Sequence, residues 1–108
     1  MSTPEYLLVE TQGRWAEHLF DRFVGDAAAL ADAGRSVCVY LVQDAVTAAV
    51  EPASPALADL VRRGGTVWVD DFSLAQRALE KAELLGSVVD MTVVADAVLA
   101  ERSRVVWH

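Results

Sequence analysis

Residues 36–42, Ser-Val-Cys-Val-Tyr-Leu-Val, form an apolar, β-branched run with no polar alternation. A strand wet on one face alternates apolar with polar residues, so this run needs cover on both faces, as a central strand of a parallel sheet has. Parallel neighbours cannot be joined by tight hairpins and require crossover segments, commonly helices. The chain must therefore alternate strands with helices, and its hydropathy pattern does so.

Tyr6-Leu7-Leu8-Val9 reads as a buried first strand, followed by a loop at Glu10, Thr11, Gln12 and Gly13. From Ala16 to Ala33 the residues Leu19, Phe20, Phe23, Ala27, Leu30 and Ala31 recur at helical spacing, Asp21, Arg22, Asp26 and Asp32 are left for water, and Gly34 stops the helix. After Gln43-Asp44, a short helix over 45–50 is interrupted by Pro52 and Pro55. Pro55 then opens a second helix with Leu57, Leu60 and Val61 on one face, closed by Gly64-Gly65. Thr66 to Val69 is the third strand. Ser73, with Gln76 three residues on, reads as a capping box for a helix running to about Leu85, with Ala75, Ala78, Leu79 and Ala82 inward. A short strand at Ser87 to Val89, a helix from Thr92 to Ala100 and a last strand from Arg104 to Trp107 complete the pattern. The expected architecture is a single 1–108 domain, a three-layer α/β/α sandwich on a five-stranded, mostly parallel sheet.

Composition narrows the function classes. At 54% hydrophobic and 23% charged, 108 residues can bury one core and leave no room for a second domain. Nine Lys plus Arg against sixteen Asp plus Glu leave a net charge of −7, which repels a phosphate backbone and argues against nucleic acid as a partner. The lone Cys38 excludes an internal disulfide and any multi-cysteine metal site, a usage suited to the reducing cytoplasm. No basic-then-apolar leader and no apolar stretch of about eighteen residues occurs, so a soluble, unprocessed protein without membrane contact is expected.

In open parallel sheets ligands gather beyond the carboxyl ends of the strands. Residues 10–13, Gln43-Asp44, Asp70-Asp71, Asp90 and His108 all follow strands directly and should share that rim. Asp44, Asp70 and Asp71 have the chemistry for a cation or a phospho-acceptor pocket, or serve as helix caps and first-turn charges. The phospho-acceptor pattern of a receiver domain lacks its parts, because Glu10-Thr11 stands for the acidic pair and His108 for the lysine. No metal-ligand spacing joins His18 to His108, no glycine-rich phosphate loop occurs, and no metal or cofactor is expected. Cys38, between valines in mid-strand, reads as inert core. Trp15, Trp68 and Trp107 read as packing or interface residues rather than a ligand platform.

The ordered segments LVQDAVTAAV (41–50), VWVDDFSLAQRAL (67–79) and VVWH (105–108) resemble the DsrE/DsrF/DsrH superfamily of sulfur-relay proteins, also called the TusD/TusC/TusB group, from about Ser36 onward. The details lean toward its DsrH/TusB-like and short DsrE-like members. The resemblance implies a small oligomer, a trimer or hexamer, working with sulfur-relay partner proteins. Two glycines of the family pattern are replaced, at Ala45 and at Ala78 after Arg77. The acceptor cysteine of sulfur-carrying members would lie at Asp71 or Phe72, so the resemblance implies a subunit without it and no catalytic residue is assigned. The alternatives are a sulfurtransferase carrying persulfide on Cys38 and a purely structural interaction partner. For ligand contact the candidates are Gln12, Gln43, Asp44, Asp71 and Arg77, with Trp107 and His108 as floor or subunit contact; Arg77 is expected to pair with Asp44 or Asp71, or to receive an anion.

Overall fold

The computed structural model describes residues 3–100 and 103–108. In chain order the elements are β1 (Tyr6–Glu10), α1 (Glu17–Asp32), β2 (Val37–Leu41), α2 (Pro55–Arg62), β3 (Thr66–Asp70), α3 (Asp71–Gln76), β4 (Ser87–Val89), α4 (Met91–Leu99) and β5 (Arg104–Trp107), with 3-10 turns at Arg14–Ala16 and Gln43–Ala49. The strands form one sheet in the order β4-β3-β2-β1-β5, and every pairing is parallel. As the non-alternating run requires, β2 is the middle strand and all five of its residues are buried. Among the described residues no helix is long and apolar enough to cross a membrane.

From β1 to β4 the chain steps in one direction across the sheet, and it then returns to place β5 on the other side of β1. Right-handed crossovers put the connections of a forward step on one face and that of the return on the opposite face. Accordingly Phe20 and Val24 of α1, Val46, Leu57 and Leu60, and Leu74 of α3 pack with Leu8, Val39, Leu41 and Val69 on one side. On the other side Leu7, Val9, Cys38, Tyr40, Trp68 and Val89 pack with Val94 and Ala97 of α4, with Val42, Val93 and Val105 at the margin. The reversal of strand order falls between β1 and β5. That is the switch point where a parallel sheet opens a crevice.

The helix after β3 differs most from the expected one. Ser73 is not its cap: Asp70, the last residue of β3, accepts from the Ser73 amide, and α3 ends at Gln76 instead of running to Leu85. Residues beyond it bond to the exit of the 43–49 turn, Leu85 N–H donating to the Ala49 carbonyl and Glu51 N–H to the Glu83 carbonyl, with Val50 and Leu84 bridged. These tertiary bonds replace the i to i−4 bonds that a longer helix would make. Ala75 and Ala78 are exposed rather than inward, and Leu19 and Val61, expected on buried faces, also lie at the surface. Gly34 stops α1 as expected, at φ +83.

Ala78, two residues past the end of α3, sits at φ +55, a left-handed conformation that is unfavourable for any residue with a Cβ. Ala78→Gly is expected to stabilise the protein by about 1 kcal/mol, the relief of strain exceeding the added chain entropy. Urea unfolding of the variant beside the wild type measures it, and an unchanged or lower midpoint would show that the strain is absent.

Candidate functional site

At the carboxyl end of β2 and β3 a buried polar knot is built around Asp70. The Tyr40 hydroxyl donates to Asp70 Oδ1 at 2.9 Å, and Asp70 Oδ2 accepts from the Ser73 amide at 2.9 Å and the Ser73 hydroxyl at 2.6 Å. Ser73 Oγ in turn accepts the Gln43 amide N–H at 2.8 Å, which holds Gln43 at φ +57 where the chain leaves β2. Burial, aided by the hydrogen bond and charge of Asp70, pushes the Tyr40 phenol well above its ordinary range, so the hydroxyl stays a donor. Of the three aspartates weighed for chemistry, Asp70 is thus a cap and a cross-strand tie. Its oxygens are already engaged.

Outside the knot, Arg77 spans from α3 to the 43–49 turn. Its Nη2 lies 2.7 Å from Asp44 Oδ1, and Nη1 donates to the Ser73 carbonyl at 3.2 Å. The pair is partly wet, and such pairs contribute at most about 1 kcal/mol; its effect is to hold a guanidinium at the rim. Asp71 stands exposed in the first turn of α3 and takes no part in this pair.

A second cluster closes the switch point. Glu10 ends β1 fully buried, its Oε1 accepting the Gln12 amide N–H at 2.9 Å and its Oε2 lying 2.6 Å from Nδ1 of His108. The His108 ring stacks on Phe23 of α1 at 4.9 Å between centroids, and its carbonyl accepts from the Thr11 amide and hydroxyl. Burial is the largest influence on Glu10 and raises its carboxyl above the ordinary value of 4.5, outweighing the hydrogen bond and charge of His108.

Because side chains alternate along a strand, His108 faces α1 while its neighbour Trp107 lies beside α4. The expected site residues therefore fall into separate places. Gln43, Asp44 and Arg77 come together, His108 joins Glu10 and the Gln12 backbone, and Trp107 is on the other face of the sheet. Glu10 and Tyr40 were not among the candidates; the parity of Glu10 with Leu8, which turns it toward the α1 side, is its one sequence signal. No group of three or more His, Cys, Asp or Glu placed to hold a metal ion occurs among the described residues. Cys38 lies at zero exposure under α4, and burial pushes its thiol up to about 12.

No family model matches the sequence, and no curated protein matches it. Among solved structures, the crystal structure of the ychN protein from E. coli superposes with a TM-score of 0.81, covering 95% of this chain and 97% of that one at 19% identity. The two chains share a fold. At 19% identity the likeness to ychN shows the shared fold and carries nothing beyond it.

Two outcomes follow from these clusters. Asp70→Ala removes a helix cap and strands the buried Tyr40 hydroxyl, so it is expected to cost at least about 2 kcal/mol in urea unfolding; a smaller loss, with Tyr40→Phe equally harmless, would show that the knot is slack. For Glu10 the sign is that of an acid whose folded pKa is raised: its contribution is fully present below its unfolded value of 4.5 and is lost as pH rises through the folded one. Wild type should therefore lose stability relative to Glu10→Gln as pH rises above the unfolded value of 4.5. Parallel stability curves for the two proteins over that range would contradict the dominance of burial.

Proposed function

We propose that this chain is a cytoplasmic DsrE-like subunit, related to the sulfur relay, that binds a small ligand or a partner protein without carrying sulfur itself. The carrying observation is the state of the one cysteine: Cys38 is buried in mid-sheet with its thiol held protonated, while the start of α3 offers Asp71 and Phe72. A persulfide carrier needs an accessible thiolate. The motif order in the sequence and the fold shared with ychN support the family side of this reading.

The working surface in this reading is the carboxyl rim where Gln43, Asp44 and Arg77 meet; Asp71, exposed in the first turn of α3, and Gln12 and His108, held at Glu10, complete the candidate set from their separate places. Arg77 receives an anionic group of the ligand or partner by releasing Asp44, as a guanidinium suits planar bidentate contact. Homo-oligomerisation, as a trimer or hexamer, fits the large apolar side chains left at the surface, Trp15 (75% exposed), Leu19, Phe72 and Val88 among them.

Intact-mass measurement after incubation with a sulfur donor tests the absence of sulfur carriage. Wild type and Cys38→Ser should both remain unmodified, and thiol labelling of the native protein should be slow, becoming fast on unfolding. A sulfur adduct present in wild type and lost in Cys38→Ser would establish the carrier reading instead. For the rim, Arg77→Ala should lose binding partners in a pull-down while keeping its unfolding midpoint; unchanged binding would remove Arg77 from the site. Sedimentation velocity giving the mass of one chain would count against the oligomer.

A further inference from the structure

On the face of the sheet that α4 covers, a groove of about 540 Å³ opens at the carboxyl ends of β1, β2 and β5. Its floor reaches the core at Val9, Tyr40 and Val94, and Leu99 and Trp107 stand at its mouth, 80% and 68% exposed. Two features separate it from a bare apolar patch. It is deep enough to end on buried residues, and its volume lies within the range of small-molecule pockets, roughly 300 to 1,000 Å³. It also has one unengaged polar group: among the described residues the Gln43 side-chain amide has no hydrogen-bond partner, although the Gln43 backbone is fastened by Ser73 in a left-handed conformation. The other polar lining groups are committed, the Tyr40 hydroxyl to Asp70 and the Thr11 hydroxyl to the His108 carbonyl.

No charged side chain lines the groove, in a chain of net charge −7. An ion placed there would lose its hydration with no counter-charge to replace it. The occupant is thereby restricted to an uncharged molecule.

We propose that this groove binds a small neutral molecule with a flat aromatic or short aliphatic body, which lies on Val9, Tyr40 and Val98 beside Trp107, and a single amide-like or hydroxyl head that meets the Gln43 amide. The head is matched by a side chain that both donates and accepts. Leu99 and Trp107, costly to leave wet, close over the body. The inference is independent of sulfur chemistry and of Arg77.

Fluorescence titration of the full chain with two neutral probes, 2-naphthamide and naphthalene, tests it, with sedimentation velocity run on the same samples. Saturable binding of both is expected, with the amide at least threefold tighter. Ala95→Trp, which fills the groove, should weaken both at least tenfold, and Gln43→Ala should abolish the preference for the amide while leaving naphthalene bound. Should Ala95→Trp fail to fold, Val98→Asp serves in its place and should also weaken both probes at least tenfold. Absence of saturable binding by wild type would overturn the proposal. So would binding that neither groove variant changes. An assembly that Ala95→Trp or Val98→Asp splits into single chains, with no probe bound by wild type, would assign the groove to a second copy instead.

Discussion

The burial of β2 on both faces is the constraint from which the rest of this structure follows. A strand with no wet face must sit between two neighbours in register and between two layers, and parallel pairing then demands a crossover for each step. Right-handedness assigns those crossovers to faces, so the forward steps crowd α1, the 43–49 turn, α2 and α3 onto one side. Among the described residues one helix, the nine-residue α4, is left for the other. The unequal cover gives one face a thick core and leaves the groove beside α4 on the other.

The same topology gathers the polar chemistry at one rim, because every parallel strand delivers its carboxyl end there. At that rim the carboxylates are differently employed. Asp70 is consumed by capping α3 and holding Tyr40, Glu10 is sealed against His108 at the switch point, and Asp44 shares Arg77 in partial contact with water. Only the last arrangement can open without exposing a buried charge or breaking a core tie. A binding function that exchanges Asp44 for another anion is therefore compatible with a stable sheet, whereas chemistry at Asp70 or Cys38 would have to work against it.

The strands were legible because each is a short apolar run bounded by polar or glycine residues, and β5 has the bounds its sequence suggests. Helix ends were less so. Ser73 and Gln76 have the spacing of a capping box, yet Asp70 already holds a strand end whose carboxylate reaches the same amide, and the first acceptor in place takes the bond. Likewise the helix-compatible stretch after Arg77 gives up its local bonds for ones to Ala49 and Glu51, which the fold brings within reach. Leu19 matched a helical face by spacing, but α1 rests on the sheet through Phe20, Val24, Ala27 and Ala31.

The alternation of strand and helix, the central place of residues 37–41, the buried Cys38 and the rim after each strand were determined by the sequence alone, because they rest on hydropathy and turn residues acting over a few positions. Only the tertiary structure decided the strand order, the shortening of α3, the division of Trp107 from His108 onto opposite faces, and the meeting of Glu10 with His108 across 98 positions. Such pairings leave no local signature. They are set by which layers must be covered and by the handedness of the crossovers that cover them, quantities that exist only once the chain has closed into a sheet.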